Sequence, residues 1–298
     1  MYIEQAKKLK SHPILFFILP AGFIALMVFN SILSAGIDTN EVIKNTIDRI
    51  GVNATFVMLI APLSIALFFV LFWAKFIQGQ SLTSLTTSRP KIDWKRVFFS
   101  FSIWAGITIC MIVISYYATP DNFVWNFNSE KFFTFLVLAL LLIPLQTSFE
   151  EYLFRGHLMQ GLGLVTNSRL IPLLVTSILF GLMHMGNPEV GKVGYIIMVY
   201  YIGTGLFLGV LTLMDEGLEL ALGFHAANNL VGALLLTADW TAFQTHSVLK
   251  DVSEPSAGFE IILPVFVVFP LLLFLFAKVY KWNNWKERLT GSLQEISE

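Results

Sequence analysis

Apolar residues in this chain gather into long runs separated by short polar stretches. A bilayer core of ~30 Å needs about 20 mostly apolar residues per helix. Eight runs meet or approach that length: roughly Pro13–Leu33, Ala54–Ile77, Val97–Tyr117, Phe132–Phe149, Leu170–Met185, Gly194–Met214, Leu218–Thr237 and Glu260–Tyr280. The fourth, fifth and seventh carry or adjoin polar residues. Between the first two runs, Ile37, Val42, Ile43, Ile47 and Ile50 recur near helical spacing among polar residues, which predicts a short interfacial helix. Residues Asp239–Gly258 form the longest outer loop, and there is no internal repeat. The pattern predicts an all-α polytopic membrane helix bundle of about eight transmembrane helices, folded as a single membrane domain over residues 1–298.

Composition agrees. The 298 residues are 56% hydrophobic and 13% charged, about half the charge of a typical soluble domain. A net charge of −1 excludes a nucleic-acid partner, which needs a basic face. The single cysteine, Cys110, excludes a disulfide framework, a thiolate cluster and a redox pair. Of the 19 lysines and arginines, 13 fall on the side of the two termini and 5 on the other, Arg155 standing apart inside a span. The positive-inside rule then puts both termini in the cytoplasm. One joint is weak, because the sixth-to-seventh loop carries Asp215, Glu216 and Glu219 without a cation. The first run is too long for a signal-peptide core and lacks a good cleavage site, so an uncleaved first span is expected. The short loops read as those of a bacterial plasma-membrane protein, in contact with membrane lipid.

The few polar residues inside the runs carry the chemistry. A charge at mid-membrane costs roughly 2.5–3.5 kcal/mol on insertion scales and usually faces a cavity or a partner. The fourth span ends in Ile143-Pro-Leu-Gln-Thr-Ser-Phe-Glu-Glu-Tyr-Leu-Phe-Arg-Gly156. Glu151 and Arg155 stand at i,i+4 and can pair, while Glu150 points about 100° away. A helix-end salt bridge would account for the pair alone. The fifth span contributes His184, which alone reads as a hydrogen-bonded packing residue. The seventh contributes His225 and Asn229 on one face, which alone read as interhelical hydrogen bonding, and Asn228 turned off that face. Together they mean more. A carboxylate and a histidine can deprotonate water, directly or through a metal. A second histidine and an amide can donate to an oxyanion. That set suffices to hydrolyse an amide bond.

Glu150-Glu151-Tyr-Leu-Phe-Arg155, Phe180-Gly-Leu-Met-His184 and His225-Ala-Ala-Asn228-Asn229, in that order on successive spans, resemble the CPBP family of intramembrane proteases. It includes the CAAX-processing endopeptidases of the Rce type and the bacterial Abi, or bacteriocin self-immunity, proteins. The resemblance covers residues 131–235, the catalytic core, including the approach Gly205-Leu-Phe-Leu-Gly209. It implies that Glu150 and His184 activate water, that His225 and Asn229 stabilise the oxyanion, and that Glu151 and Arg155 support the site. Glu150, His184 and His225 could also supply three ligands to Zn2+ with one position open, although no His-Glu-x-x-His signature is present.

Of the other histidines, His157 is expected at the surface, and His12 and His246 in solvated flanks. One difficulty stands out. Glu150 and His225 fall near the cytoplasmic third of their runs, whereas His184 lies ~21 Å past Leu170 at ~1.5 Å per residue. The expected activity is an intramembrane endopeptidase acting on a peptide or protein delivered from the cytoplasmic side, in prenyl-peptide processing or bacteriocin self-immunity. The alternatives are a non-catalytic immunity or scaffold protein, and a transporter built on the same carboxylates. The chain has no Gly-x-Ser-Gly or Gly-x-Gly-Asp signature of the serine and aspartyl intramembrane proteases.

Overall fold

The computed structural model describes residues 1–256 and 258–294. Helices dominate: α1 (Leu15–Leu33), α2 (Thr39–Ile50), α3 (Val52–Ile77), α4 (Leu82–Thr86), α5 (Trp94–Ala118), α6 (Ser129–Thr166), α7 (Leu170–Leu182), α8 (Pro188–Val193), α9 (Ile197–Asp215), α10 (Glu219–Leu235), α11 (Ile261–Tyr280) and α12 (Trp285–Thr290). Side-chain caps start four of them, Ser81 accepting from Ser84 N at α4. Asp38 accepts from Asn40 N and Glu41 N at α2, Asp93 from Lys95 N at α5 and Asn128 from Lys131 N at α6. α2 forms over the segment whose isoleucine spacing predicts a short amphipathic helix.

Six helices (α1, α3, α5, α6, α9 and α11) are long and apolar enough to cross a membrane. The other two expected spans form as shorter helices: α7 has 13 residues and α10 has 17, ~20 and ~26 Å against a ~30 Å core. α10 has no exposed residue, so protein surrounds it along its length, whereas α7 keeps an exposed apolar stripe of Leu170, Ile171, Leu174, Ile178 and Leu182. Large apolar side chains stand exposed on the outer helices, among them Leu26, Ile32, Ile65, Phe98 and Ile114. On an integral membrane protein these face lipid.

α10 packs against α5 and α6, α9 against α7, and α3 against α6. Lipid tails are as apolar as leucine, so helices associate by close packing, which favours small residues at crossings. At the α10–α5 crossing a Cβ on Gly223 would lie 2.0 Å from Val97 O, and at α9–α7 a Cβ on Gly205 would lie 2.6 Å from Ser177 O. Aromatic rings fill the centre, with Phe207 stacked on Phe269 at 4.6 Å and Trp104 against Phe224 at 4.4 Å.

A three-stranded sheet caps the end opposite the termini: β1 (Phe123–Trp125) runs antiparallel to β3 (Leu249–Asp251), and β2 (Leu236–Ala238) runs parallel to it. The loop expected over Asp239–Gly258 therefore holds a strand, and its residue 257 lies outside the described residues. At the other end the termini meet. Lys7 Nζ donates to Gln294 O, Glu4 pairs with Arg169, and Arg288 Nη1 donates to Met214 O. The acidic joint between α9 and α10 is neutralised by cations from elsewhere. Arg89 pairs with Asp215 at 3.0 Å and Glu219 at 3.1 Å, and Arg96 pairs with Asp215. Burial pushes the Glu216 carboxyl upward, opposed by the N-terminal ammonium, the Tyr2 N–H, Arg288 and Arg169.

Candidate active site

α6 presents Gln146, Glu150, Glu151 and Arg155 on successive turns. It runs as an α-helix to Glu151 and then as π-helix over Tyr152–Leu158, a widened form that concentrates at functional sites. Arg155 and Glu151 pair as their spacing predicts, Nη1 to Oε1 at 3.0 Å, both wholly buried. Arg155 Nη2 also donates to Gly205 O at 2.9 Å, and the guanidinium lies 4.4 Å from the Phe180 ring centroid.

α10 brings His225 onto the two carboxylates. Its Nδ1 lies 2.8 Å from Glu151 Oε1, and its Nε2 lies 3.5 Å from Glu150 Oε2. A carboxylate can only accept, so Nδ1 carries the proton there and Glu151 fixes the ring's tautomer and tilt. Glu150 is tied through its other oxygen, Oε1, which accepts from Gln146 Nε2 at 2.6 Å. Oε2 accepts no hydrogen bond and is buried. Asn229 comes to the same face, as its i,i+4 spacing from His225 predicts, and donates to Gln146 Oε1 at 3.3 Å. Asn228, turned off that face, accepts from Trp104 Nε1 and Tyr200 OH, each at 3.1 Å, and so ties α10 to α5 and α9.

His184 sits just past the end of α7, in the turn before α8. Its Nδ1 lies 2.8 Å from Phe180 O, which fixes Nδ1 as donor, and its ring stacks on Tyr201 at 4.5 Å. Phe180 packs against both histidines, its ring centroid 5.0 Å from that of His184 and 5.6 Å from that of His225. The depth difficulty disappears because α6 continues through the π segment to Thr166 and turns back at Asn167 (φ 50°) into α7. Glu150 lies ~24 Å from that turn and His184 ~21 Å, so the antiparallel pair brings them to one level.

Glu150, His184, His225 and Asn229 line one cavity of about 590 Å³. It extends toward the sheet-bearing end, past Tyr200, Tyr201 and Glu189 to Thr237, Trp240, Phe243 and Asp251. Its described lining includes no lysine or arginine. Burial pushes the Glu189 carboxyl upward, although the Ala242 N–H donates to it at 2.8 Å. His157 corrects an expectation: it lies wholly buried, bonded to Tyr152 O at 3.1 Å and packed near Phe16. His12 is exposed and His246 half-buried.

Glu150, His184 and His225 are also the side chains of the zinc expectation. Among the described residues, no three His, Cys, Asp or Glu side chains are arranged to hold a metal ion. One atom each of Glu150, His184 and His225 is held by a protein partner, which leaves Glu150 Oε2 and the Nε2 atoms of both histidines as the remaining donors, the way metal-bound histidines are commonly oriented. Gln146 is the functional candidate that sequence reasoning passed over, although its i,i+4 spacing to Glu150 was a usable signal.

Residues 129–231 match the family described as type II CAAX prenyl endopeptidase Rce1-like. Over 215 residues the chain is 32% identical to YyaK, an uncharacterized protein of Bacillus subtilis (strain 168), covering 72% of this chain and 70% of that one. The chain belongs to the Rce1-like family. No solved structure matches it. The Rce1-like region begins with α6 and ends within α10, so it takes in every residue of the polar cluster except Trp104.

Proposed function

We propose that this Rce1-like protein is an endopeptidase in which Glu150 is the general base. One observation carries the reading: the unpartnered Glu150 Oε2 lies 3.5 Å from His225 Nε2, at the wall of a cavity shared with His184 and Asn229. Glu150, assisted by His184, takes a proton from water as the oxygen attacks the peptide carbonyl. Negative charge then grows on the carbonyl oxygen, where Asn229 Nδ2 and a protonated His225 Nε2 donate. Glu151 offsets the charge of that imidazolium through Nδ1. Glu150 returns the proton to the leaving amine as the C–N bond breaks. Arg155 holds the Glu151 carboxylate in place.

The lining supports peptide entry from the sheet-bearing end. Delivery from the cytoplasmic side, expected from sequence, gains no support from it, because the cavity leads away from the end that holds both termini. Carboxylates at Glu150, Glu189 and Asp251 without a lining cation favour neutral or basic peptides over acidic ones. A prenyl-peptide substrate remains the family's suggestion, and a bacteriocin-immunity role the other.

The test uses a quenched-fluorescent peptide library with purified protein in detergent micelles. Glu150→Gln and His225→Ala each lower cleavage by at least about 100-fold, the range of general acid–base assistance, while the protein stays folded. Acidic library members are cut most slowly. Cleavage by Glu150→Gln at the wild-type rate would falsify the assignment. Zinc dependence is read separately, from metal content and from activity after chelation.

A further inference from the structure

Five hydrogen bonds link the base to the far wall of the cavity. Trp104 Nε1 and Tyr200 OH donate to Asn228 Oδ1, Asn228 Nδ2 donates to Asn229 Oδ1 at 3.0 Å, Asn229 Nδ2 donates to Gln146 Oε1, and Gln146 Nε2 donates to Glu150 Oε1. The ends dictate the direction. Indole N–H can only donate and an ionised carboxylate can only accept, so each of the three carboxamides between them has one allowed orientation. Turning any one over would set nitrogen against nitrogen and oxygen against oxygen.

We propose that Gln146 is a positioning residue that couples the base Glu150 to the oxyanion donor Asn229, with Asn228 as the anchor of the chain. This rests on the protease reading above. Gln146 is buried, with 4% of its surface exposed, on the α6 face toward α10. Its amide engages Glu150 Oε1, which leaves Oε2 as the oxygen that meets water. Its carbonyl takes one hydrogen of Asn229 Nδ2 and leaves the second for the oxyanion. In a site of low dielectric, aligned donors polarise one another. The same chain places base and oxyanion donor at a fixed separation, which hydrolysis of a carbonyl requires.

A merely space-filling role for Gln146 predicts something different from a positioning role, and kinetics separate the two. Wild type, Gln146→Met, Gln146→Asn, Asn229→Ala and the Gln146→Met/Asn229→Ala double variant are compared in detergent on one quenched-fluorescent peptide selected from the library. Methionine keeps the volume and the helix propensity but neither hydrogen bond. Asparagine keeps the amide but is too short to reach both partners. Both variants lower kcat by about 10- to 100-fold, the worth of a hydrogen bond to a charged group, with KM within about twofold. The double variant loses much less than the product of the single losses, since both break one chain. Either variant turning over at the wild-type kcat overturns the proposal, as do losses that multiply in full. Glu150→Gln on the same peptide keeps the two readings apart. If it is inactive while Gln146→Met matches wild type, only the coupling fails; if it too matches wild type, the protease reading fails first.

Discussion

Arg155 shows how much one side chain can hold in this bundle. It is fully buried and bonds both Glu151 and the Gly205 carbonyl, so it links α6 to α9. Removing it takes the countercharge from a buried carboxylate that keeps only His225 as partner, and a broken buried pair costs about 3–5 kcal/mol. Arg155→Ala therefore unfolds at markedly lower temperature in detergent. Arg155→Lys recovers little, since an ammonium lacks the fork that reaches both acceptors. An unchanged unfolding temperature in Arg155→Ala would remove Arg155 from this role. The Glu151–Arg155 pair was legible because i,i+4 spacing is a local property of a helix. The second partner of Glu151, His225, was not legible: the two are 74 positions apart, and only the rotation of α10 about its axis aims the ring at them. His157 was misread for the same reason, since α1 and its Phe16 ring cover a face that spacing alone leaves open.

The elements place the site by where they end and how closely they cross. α6 outruns its apolar pattern, because the chain past Phe149, where the fourth apolar run ends, stays helical through the π segment to Thr166. α7 stops short, and the turn beyond it carries His184. Close crossings depend on glycine at particular positions, which yields a paired test. Gly223→Ala would set a Cβ 2.0 Å from Val97 O and push α10 off α5, moving His225 with it. Gly232, nine residues further along the same helix, has open space where its Cβ would be. Gly223→Ala accordingly loses thermal stability and cleavage, while Gly232→Ala keeps both. Equal behaviour of the two in unfolding and cleavage assays would refute the crossing argument. The Gly205–Gly209 approach was visible as a motif, but which helices it lets together was not.

For the whole molecule, the arrangement of charge argues for orientation. Cations crowd the end where the termini meet, and there they neutralise the acidic joint at Asp215 and Glu219 that the chain itself leaves bare. With that end cytoplasmic, the cavity opens outward. Thiol labelling with an impermeant maleimide on intact cells, in a Cys110→Ser background, tests this. Lys44→Cys and Thr241→Cys are labelled from outside, and Lys8→Cys only after permeabilisation. Labelling at Thr241→Cys also blocks cleavage, because that residue lines the cavity. The reverse pattern would invert both the topology and the entry side.

Two properties of the linear chain were decisive on their own: sustained hydropathy, which makes this an integral membrane bundle, and the three spaced motifs, which mark its polar centre. Both depend only on neighbours along a helix, so they survive without coordinates. The tertiary structure alone decided what each motif faces: that Glu151 holds His225, that Gln146 joins Glu150 to Asn229, and which way the cavity leads. Those depend on the depth and rotation of helices against one another, set by small residues at crossings and by buried polar groups that must find partners across the bundle.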